Sequence, residues 1–303
     1  MILVDILAGG VRGGTSIMYA ALGETVSERA GVINLGTEGC MLTGALTGFA
    51  VTFQTGNPWI GVLAAALAGA ALALVHGVLV VGRGVNQFAS GLTIFFLALG
   101  LTSLYGDSFV GTSIHALDPI QIPLLGDIPF VGPILFRQDA LTYLSYVTAP
   151  LMWWLLFRTR AGLLVRTAGE RVDVLTVHGY RPETIRYAAV GIGGALAGVG
   201  GAHLSIAYAQ SWFENMIVGR GFIAVALVVF ACWQPLRVMA GAYLFGACLA
   251  LSPVLQAQGL GINQFALDAL PFVVTLLALA VFGRRTLLAA PEELKRVLDR
   301  TSA

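Results

Sequence analysis

Apolar residues come in long blocks along this chain, separated by short clusters of polar residues, glycine and proline. A helix that crosses a bilayer needs about 20 mostly apolar residues. Runs of that kind fall at 8–26, 34–55, 58–82, 88–105, 140–157, 187–210, 218–233, 237–256 and 267–283. The pattern predicts an all-α, polytopic membrane helix bundle of about nine transmembrane helices. The count ranges from eight to ten, because 218–233 is short and the first run is interrupted by Arg12 and Gly13-Gly14.

Two stretches break this rhythm. Residues 106–139 hold Pro119, Pro123, Pro129 and Pro133 within an extended apolar pattern, "IQIPLLGDIPFVGPI", which suits a short hairpin or a flat cap. Residues 158–186 mix Leu163, Leu164, Val165, Val172, Val174, Leu175 and Val177 with Arg166, Glu170, Arg171 and Asp173. That mixture predicts one or two short amphipathic helices, with Gly169 and Gly179 as breaks. They would form a docking surface for a soluble partner or a connector lying on the membrane. One membrane domain is expected over 1–290. Residues 291–303 form a tail that reads as a short helix opened by Pro291 or as a solvated segment.

Composition excludes a soluble protein. Of 303 residues, 57% are hydrophobic and 11% charged, with mean hydropathy +0.84. A soluble domain carries about 25% charged residues. The net charge of +1 gives no case for nucleic acid. Charge placement is more informative, because cytoplasmic loops are enriched in Lys and Arg. Arg158, Arg160, Arg166, Arg171, Arg181 and Arg186 crowd one loop, which is therefore assigned to the cytoplasm. Alternating through nine spans puts every basic residue inside except Arg12, Arg137 and Arg220. The N-terminus then lies outside and the C-terminus inside. The N-terminal residues do not read as a cleavable signal peptide, having no basic start before a long apolar run.

The chain offers no catalytic constellation. It has no HExxH, GxSxG or P-loop motif. Cys40, Cys232 and Cys248 are scattered in apolar surroundings and read as packing residues rather than as a disulfide or metal framework. No catalytic residue, metal site or cofactor is expected in this chain; if it served an ATP-driven process, another subunit would have to bind the ATP and Mg.

Polar and ionisable groups at membrane depth are costly and point to function. They form four clusters: Asn34, Thr37 and Glu38; Asn86, Gln87, Ser90 and Thr93; Gln210, Glu214, Asn215 and Arg220; and Asn263, Gln264 and Asp268. Each borders an apolar run beside glycine. Irregular backbone at membrane depth is tolerated only when covered by protein or lining a watery cavity. "NLGTEG" at 34–39 therefore reads either as a helix restarting beside a hydrophilic path or as a short cytoplasmic loop. His76 and His203, in apolar runs, read as helix-to-helix hydrogen-bonding residues. The 38 glycines imply close helix packing. Ala66–Gly69 matches Ala195–Gly198 at an offset that also superposes Asn86 on Asn215, which suggests an inverted repeat.

Taken in order, "ERAGVINLGTEGCMLTGA", "VNQFASGLTIFFLALGLTSLYG", "FRTRAGLLVRTAGE", "GGALAGVGGAHL" and "GRGFIAVALVVFACWQP" resemble the permease subunits of bacterial ATP-binding-cassette (ABC) importers. The similar branch is the ribose/simple-sugar and branched-chain amino acid permease superfamily, in its nucleoside-uptake group, and the resemblance covers roughly 10–283. It implies a non-catalytic inner-membrane subunit and a second, homologous permease. It also implies a cytoplasmic ABC ATPase and a substrate-binding lipoprotein or periplasmic protein. The substrate path would draw on Asn34, Thr37, Glu38, Asn86, Gln87, Ser90, Thr93, Glu214, Asn215 and Arg220. Phe88, Trp212 and Phe222 would supply aromatics. ATPase coupling would fall to Leu163, Val165, Arg166, Gly169, Glu170, Val174 and Leu175. Arg171 stands where the family has asparagine after Gly-Glu, and "FACWQP" also departs from the family's stretch. Branched-chain amino acids as solute, or an ion-coupled carrier or channel, remain as alternatives.

Overall fold

The computed structural model describes residues 2–258, 263–271, 273–277 and 290–295. Helix α1 is Ile2–Arg29, α2 Thr37–Thr55, α3 Pro58–Gly77 with a π-helical end at Val78–Gly82, and α4 Gln87–Gly106. After the first long loop come α5 (Val131–Leu135), α6 (Ala140–Arg158), α7 (Arg160–Glu170) and α8 (Val172–Val177). Helix α9, Pro182–Ala202, also ends in π-helix, at His203–Tyr208. It is followed by α10 (Arg220–Phe230), α11 (Pro235–Ala257) and α12 (Gln264–Asp268). Helices 58–82, 87–109, 140–158, 182–208 and 235–257 are long and apolar enough to cross a membrane. The protein is a polytopic helical membrane protein.

Local chemistry sets the helix starts. Pro58, Pro182 and Pro235 occupy first-turn positions, where a missing N–H leaves no gap. Side-chain oxygens of Asn57, Asn86, Asp139 and Thr159 accept first-turn N–H groups of α3, α4, α6 and α7. Contrary to the sequence expectation, Arg12 and Gly13-Gly14 do not interrupt α1. These glycines lie inside a continuous helix, where neighbouring helices compensate for poor helix propensity. The expected ninth segment, 267–283, falls largely outside the described residues.

Helices α1 and α9 form the centre. In α9, 72% of the apolar window is buried, against 28–33% in the other four long apolar helices. Nearly all of α1 from Gly10 to Glu28 is buried too. Glycines account for this closeness. A Cβ on Gly10 would meet the Ala247 backbone of α11 at 2.8 Å, and one on Gly69 would meet Gly198 Cα of α9 at 2.9 Å. One on Gly201 would run into the Met41 carbonyl and lie 2.8 Å from Ala45 N in α2. Ala66–Gly69 and Ala195–Gly198, read above as copies of one unit, are thus two sides of one helix–helix contact.

The bundle has two chemically distinct ends. One holds the last turn of α1, helices α7 and α8, the 231–234 turn and residues 290–295. Here Arg186 bonds the carbonyls of Ala30 (3.2 Å) and Ala168 (3.0 Å) and pairs with Glu293 at 3.2 Å. Leu294 is buried, so the tail begins as a packed helical turn rather than a solvated one. The other end carries the 106–139 loop. Strands β1 (Ile120–Gln121) and β2 (Arg137–Gln138) pair antiparallel there, the hairpin alternative of the sequence reading. Gln138 ties this loop to α1 through Arg12 at 3.4 Å.

Overpacking a tight contact costs about 1–3 kcal/mol and sometimes more. Gly201→Leu should therefore sharply lower the thermal unfolding midpoint of the detergent-purified protein. Gly100→Leu, at a glycine whose added Cβ would meet nothing within 4 Å, should leave it unchanged.

Candidate functional site

Among the described residues, two stretches of irregular backbone between helices are each held by a buried glutamate. The first is the turn between α1 and α2. Glu24, deep in α1, accepts the Asn34 N–H at 2.6 Å and the Thr37 hydroxyl at 2.9 Å. The Asn34 side-chain oxygen accepts the Gly36 N–H at 2.9 Å. Gln87 accepts the Ile33 N–H at 2.7 Å. His76 bridges Ser90 Oγ and the Ile33 carbonyl, each at 3.0 Å. Asn34, Thr37, Gln87 and Ser90 are thus joined in one network that holds this turn and the first turn of α2.

The second place is the segment 209–219, which leads into α10. Gln210, Asn215, Val218 and Gly219 all have positive φ, so this stretch cannot satisfy itself as a helix. Glu38, in the first turn of α2, accepts the N–H groups of Gly219 at 2.7 Å and Gly221 at 2.6 Å. A carboxylate at a helix N-terminus is also favoured by the helix dipole. Helix α10 has only 11 residues. At 1.5 Å per residue it is about 16 Å long, half of a hydrocarbon core of about 30 Å.

The far end of α10 is gripped by α1. Glu28 accepts the indole N–H of Trp233 at 2.5 Å. The Arg29 guanidinium donates to the carbonyls of Trp233 (3.4 Å) and Cys232 (3.5 Å). Cys232 and Trp233 both have positive φ, the bend that ends the helix. A cation at a helix C-terminus complements its free carbonyls. Glu24, Glu28 and Glu38 are each 1% exposed, so none is a solvated loop residue.

The other sequence-predicted path residues are placed differently. Asn86 is an exposed N-cap, accepting from Phe88 N at 2.9 Å. Thr93 is exposed and bonds back to the Ala89 carbonyl. Glu214 and Asn215 are exposed in the irregular segment. Arg220 donates to the Met216 carbonyl at 3.1 Å, while its Nε has no partner among the described residues. Phe222 meets Phe95 edge-on at 5.4 Å. Trp212 is buried against Gly106, and Phe88 is half-buried. Asn263 caps α12. The side chains of Gln264 and Asp268 lie outside the described residues. Glu24, the Glu28–Trp233 bond and the Asp139–His203 contact at 3.3 Å were missed in the sequence. The usable signal was Glu24 itself, an acid within an apolar run one turn before Glu28.

At the basic end, α7 and α8 flank a groove of about 420 Å³ lined by Leu163, Leu164, Val174, His178 and Tyr180. Leu163 is 55% and Val174 41% exposed, whereas Leu175 is 3% exposed and Val165 packs inward. The helix break falls at Arg171 and not at Gly169. Gly169 lies within α7, where a Cβ would strike the Arg29 carbonyl. Arg166 sits over the Phe157 ring at 5.2 Å, and Glu170 accepts the Glu292 N–H at 3.4 Å.

A buried N–H left without an acceptor costs about 1–3 kcal/mol. Glu38→Ala strands two of them. Amide hydrogen exchange at 219–222 should accelerate at least tenfold in that variant and less in Glu38→Gln, which keeps one acceptor oxygen.

The family described as "Branched-chain amino acid transport system / permease component" matches residues 6–283. A putative glucose ABC transporter permease protein of Haloferax volcanii is 44% identical over 265 residues, covering 86% of this chain and 80% of that one. A nucleoside ABC transporter permease protein of Lactococcus lactis is 33% identical, covering 88% and 89%. A guanosine ABC transporter permease protein of Bacillus subtilis is 34% identical, covering 88% of each. No solved structure is a significant match. A helical bundle that spans the membrane and matches this family over nearly its whole length is a non-catalytic permease subunit, and the chain belongs to the ABC transporter permease family.

Proposed function

We propose that this chain forms one half of the translocation path of an ABC importer for nucleosides or related simple sugars. The carrying observation is the similarity at 33–44% identity to permeases named for glucose, nucleoside and guanosine. The branched-chain amino acid alternative has less support. A zwitterion calls for free charges in the path; Glu24 and Glu38 are engaged by the protein itself, which leaves Glu214 and Arg220 as the charges it would use.

In this reading the basic end faces the cytoplasm, with the N-terminus outside and the C-terminus inside the cytoplasmic membrane. A second homologous permease completes the path among the membrane lipids. A substrate-binding lipoprotein or periplasmic protein delivers the solute at the 106–139 end. An ABC ATPase carrying ATP and Mg docks at the α7–α8 groove. Asn34, Thr37, Gln87 and Ser90 shape the turn that supports the path, and Glu38 with Arg220 holds the half-helix beside it.

We also read the bundle as an inverted repeat of about nine spans, in a register other than the one first suggested. Residues 82–89, GRGVNQFA, and 259–266, GLGINQFA, differ only at Arg83/Leu260 and Val85/Ile262. Pro58 and Pro235 open the preceding helices at the same offset. Asn86 and Asn263 both accept the N–H of the phenylalanine two residues on, at 2.9 Å. On this register α1–α4 correspond to α9–α12, with α1 against α11 and α3 against α9 as equivalent contacts.

The test is uptake by the reconstituted importer. Leu163→Glu and Val174→Glu should abolish ATP-driven nucleoside or hexose uptake while the permease remains folded and membrane-inserted. Leu175→Ser should instead lower the yield of folded protein, since Leu175 is a packing residue. Undiminished uptake by both exposed-site variants would exclude docking at this groove.

A further inference from the structure

Helix α2 is buried on most of its circumference, and what it leaves uncovered mixes polar side chains with apolar ones, Phe53 among them. Thr43, Thr47 and Gln54 lie along one stripe with Ala50 and Val51. The outward faces of α3 and α6 are of another kind. They present Ile60, Leu63 and Leu67, and Leu144, Val147 and Leu151. Those are side chains suited to hydrocarbon.

The hydroxyls on the α2 stripe are also unspent. Threonine in a membrane helix usually returns its hydroxyl to the carbonyl four residues back. Thr15, Thr25, Thr93, Thr102 and Thr148 do so at 2.7–2.9 Å. The Thr43 and Thr47 hydroxyls and the Gln54 amide make no hydrogen bond to the described residues. The Thr43 hydroxyl is itself buried, whereas Thr47 and Gln54 line a groove of about 340 Å³ between α2 and α4 whose other walls, Leu46, Val51, Leu101, Tyr105 and Phe109, are mostly apolar, as in most ligand sites. Ligand sites begin at about 300 Å³. No ionisable acid or base lines the groove, whose only titratable side chain is the Tyr105 phenol. It lies toward the 106–139 end of the bundle, since α2 runs that way and Phe109 closes it.

We propose that this α2–α4 groove is the wall along which the solute moves, and that it takes an uncharged, hydroxyl-bearing molecule through Thr47 and Gln54. Tyr105 offers an aromatic face to a sugar or base. The assignment rests on the permease reading above and deepens it. It places the solute contacts on α2 and α4 rather than on the buried network around Glu24, whose hydrogen bonds are already used.

The test is cysteine accessibility in the assembled importer in membrane vesicles, with Cys232 and Cys248 replaced by serine and the buried Cys40 kept. Thr47→Cys and Gln54→Cys are compared with Leu63→Cys and Val147→Cys, using a charged, membrane-impermeant methanethiosulfonate. The groove positions should react at least tenfold faster than the lipid-facing controls, and modification should stop uptake of a labelled nucleoside or hexose. Equal rates at all four positions would overturn the assignment, because the groove would then face lipid. So would fast labelling of the isolated chain but not of the assembly, which would mark a subunit contact, or labelling that leaves uptake intact. Gln54→Cys is exposed near a helix end and keeps the test readable if Thr47→Cys folds poorly. Uptake before labelling is scored separately. If the unmodified importer moves neither solute class, the substrate reading fails, while the rate contrast still reports whether the groove is wet.

Discussion

A backbone N–H inside a bilayer must find an acceptor, and this constraint governs the whole bundle. Among the described residues the chain leaves helix between α1 and α2, at 30–36, and between α9 and α10, at 209–219. Where those groups are buried, water cannot satisfy them. Carboxylates do it instead. Glu24 serves the first departure and Glu38 the second, while Glu28 and Arg29 secure the bend that follows α10. A carboxylate suits the task because it accepts several bonds at once and complements the positive end of a helix dipole.

The glycines supply the matching geometric condition. A carboxylate on α2 reaches the backbone of α10 only if the helices nearly touch. Gly221 provides that proximity, since a Cβ there would fall 2.6 Å from Glu38 N. Gly91 does the same for α4 against the 34–36 turn, at 2.8 Å from Leu35 N. Close approach and polar bonding are therefore not separate features of this protein. At Gly221 and Gly91 the close approach is what brings the polar groups within reach.

Much of the architecture was legible in the sequence because hydrocarbon imposes a simple rule on length and polarity. The runs at 58–82, 88–105 and 140–157 each coincide with an observed helix to within a few residues. Histidines 76 and 203 were readable as bridging groups for the same reason. What could not be read was which partner each polar residue chooses. "NLGTEG" announces irregular backbone, but nothing near it in sequence points to Glu24, ten residues back across a turn. The α2 stripe escaped notice because Thr43 and Thr47 sit inside an apolar run. A threonine that turns its hydroxyl inward looks the same in sequence as one that does not. Gly169 was misread because a glycine beside a polar segment resembles a breaker, whereas its role is set by the Arg29 carbonyl lying against it.

That contact has a mechanical side. Gly169 of α7 touches the last residue of α1 through backbone alone, with no side chain between them to change rotamer and absorb a displacement. The same last turn of α1 holds the far end of α10 through Glu28 and Arg29. A displacement of α7 would thus meet α1 backbone to backbone, and α10 only through the Glu28 and Arg29 side chains.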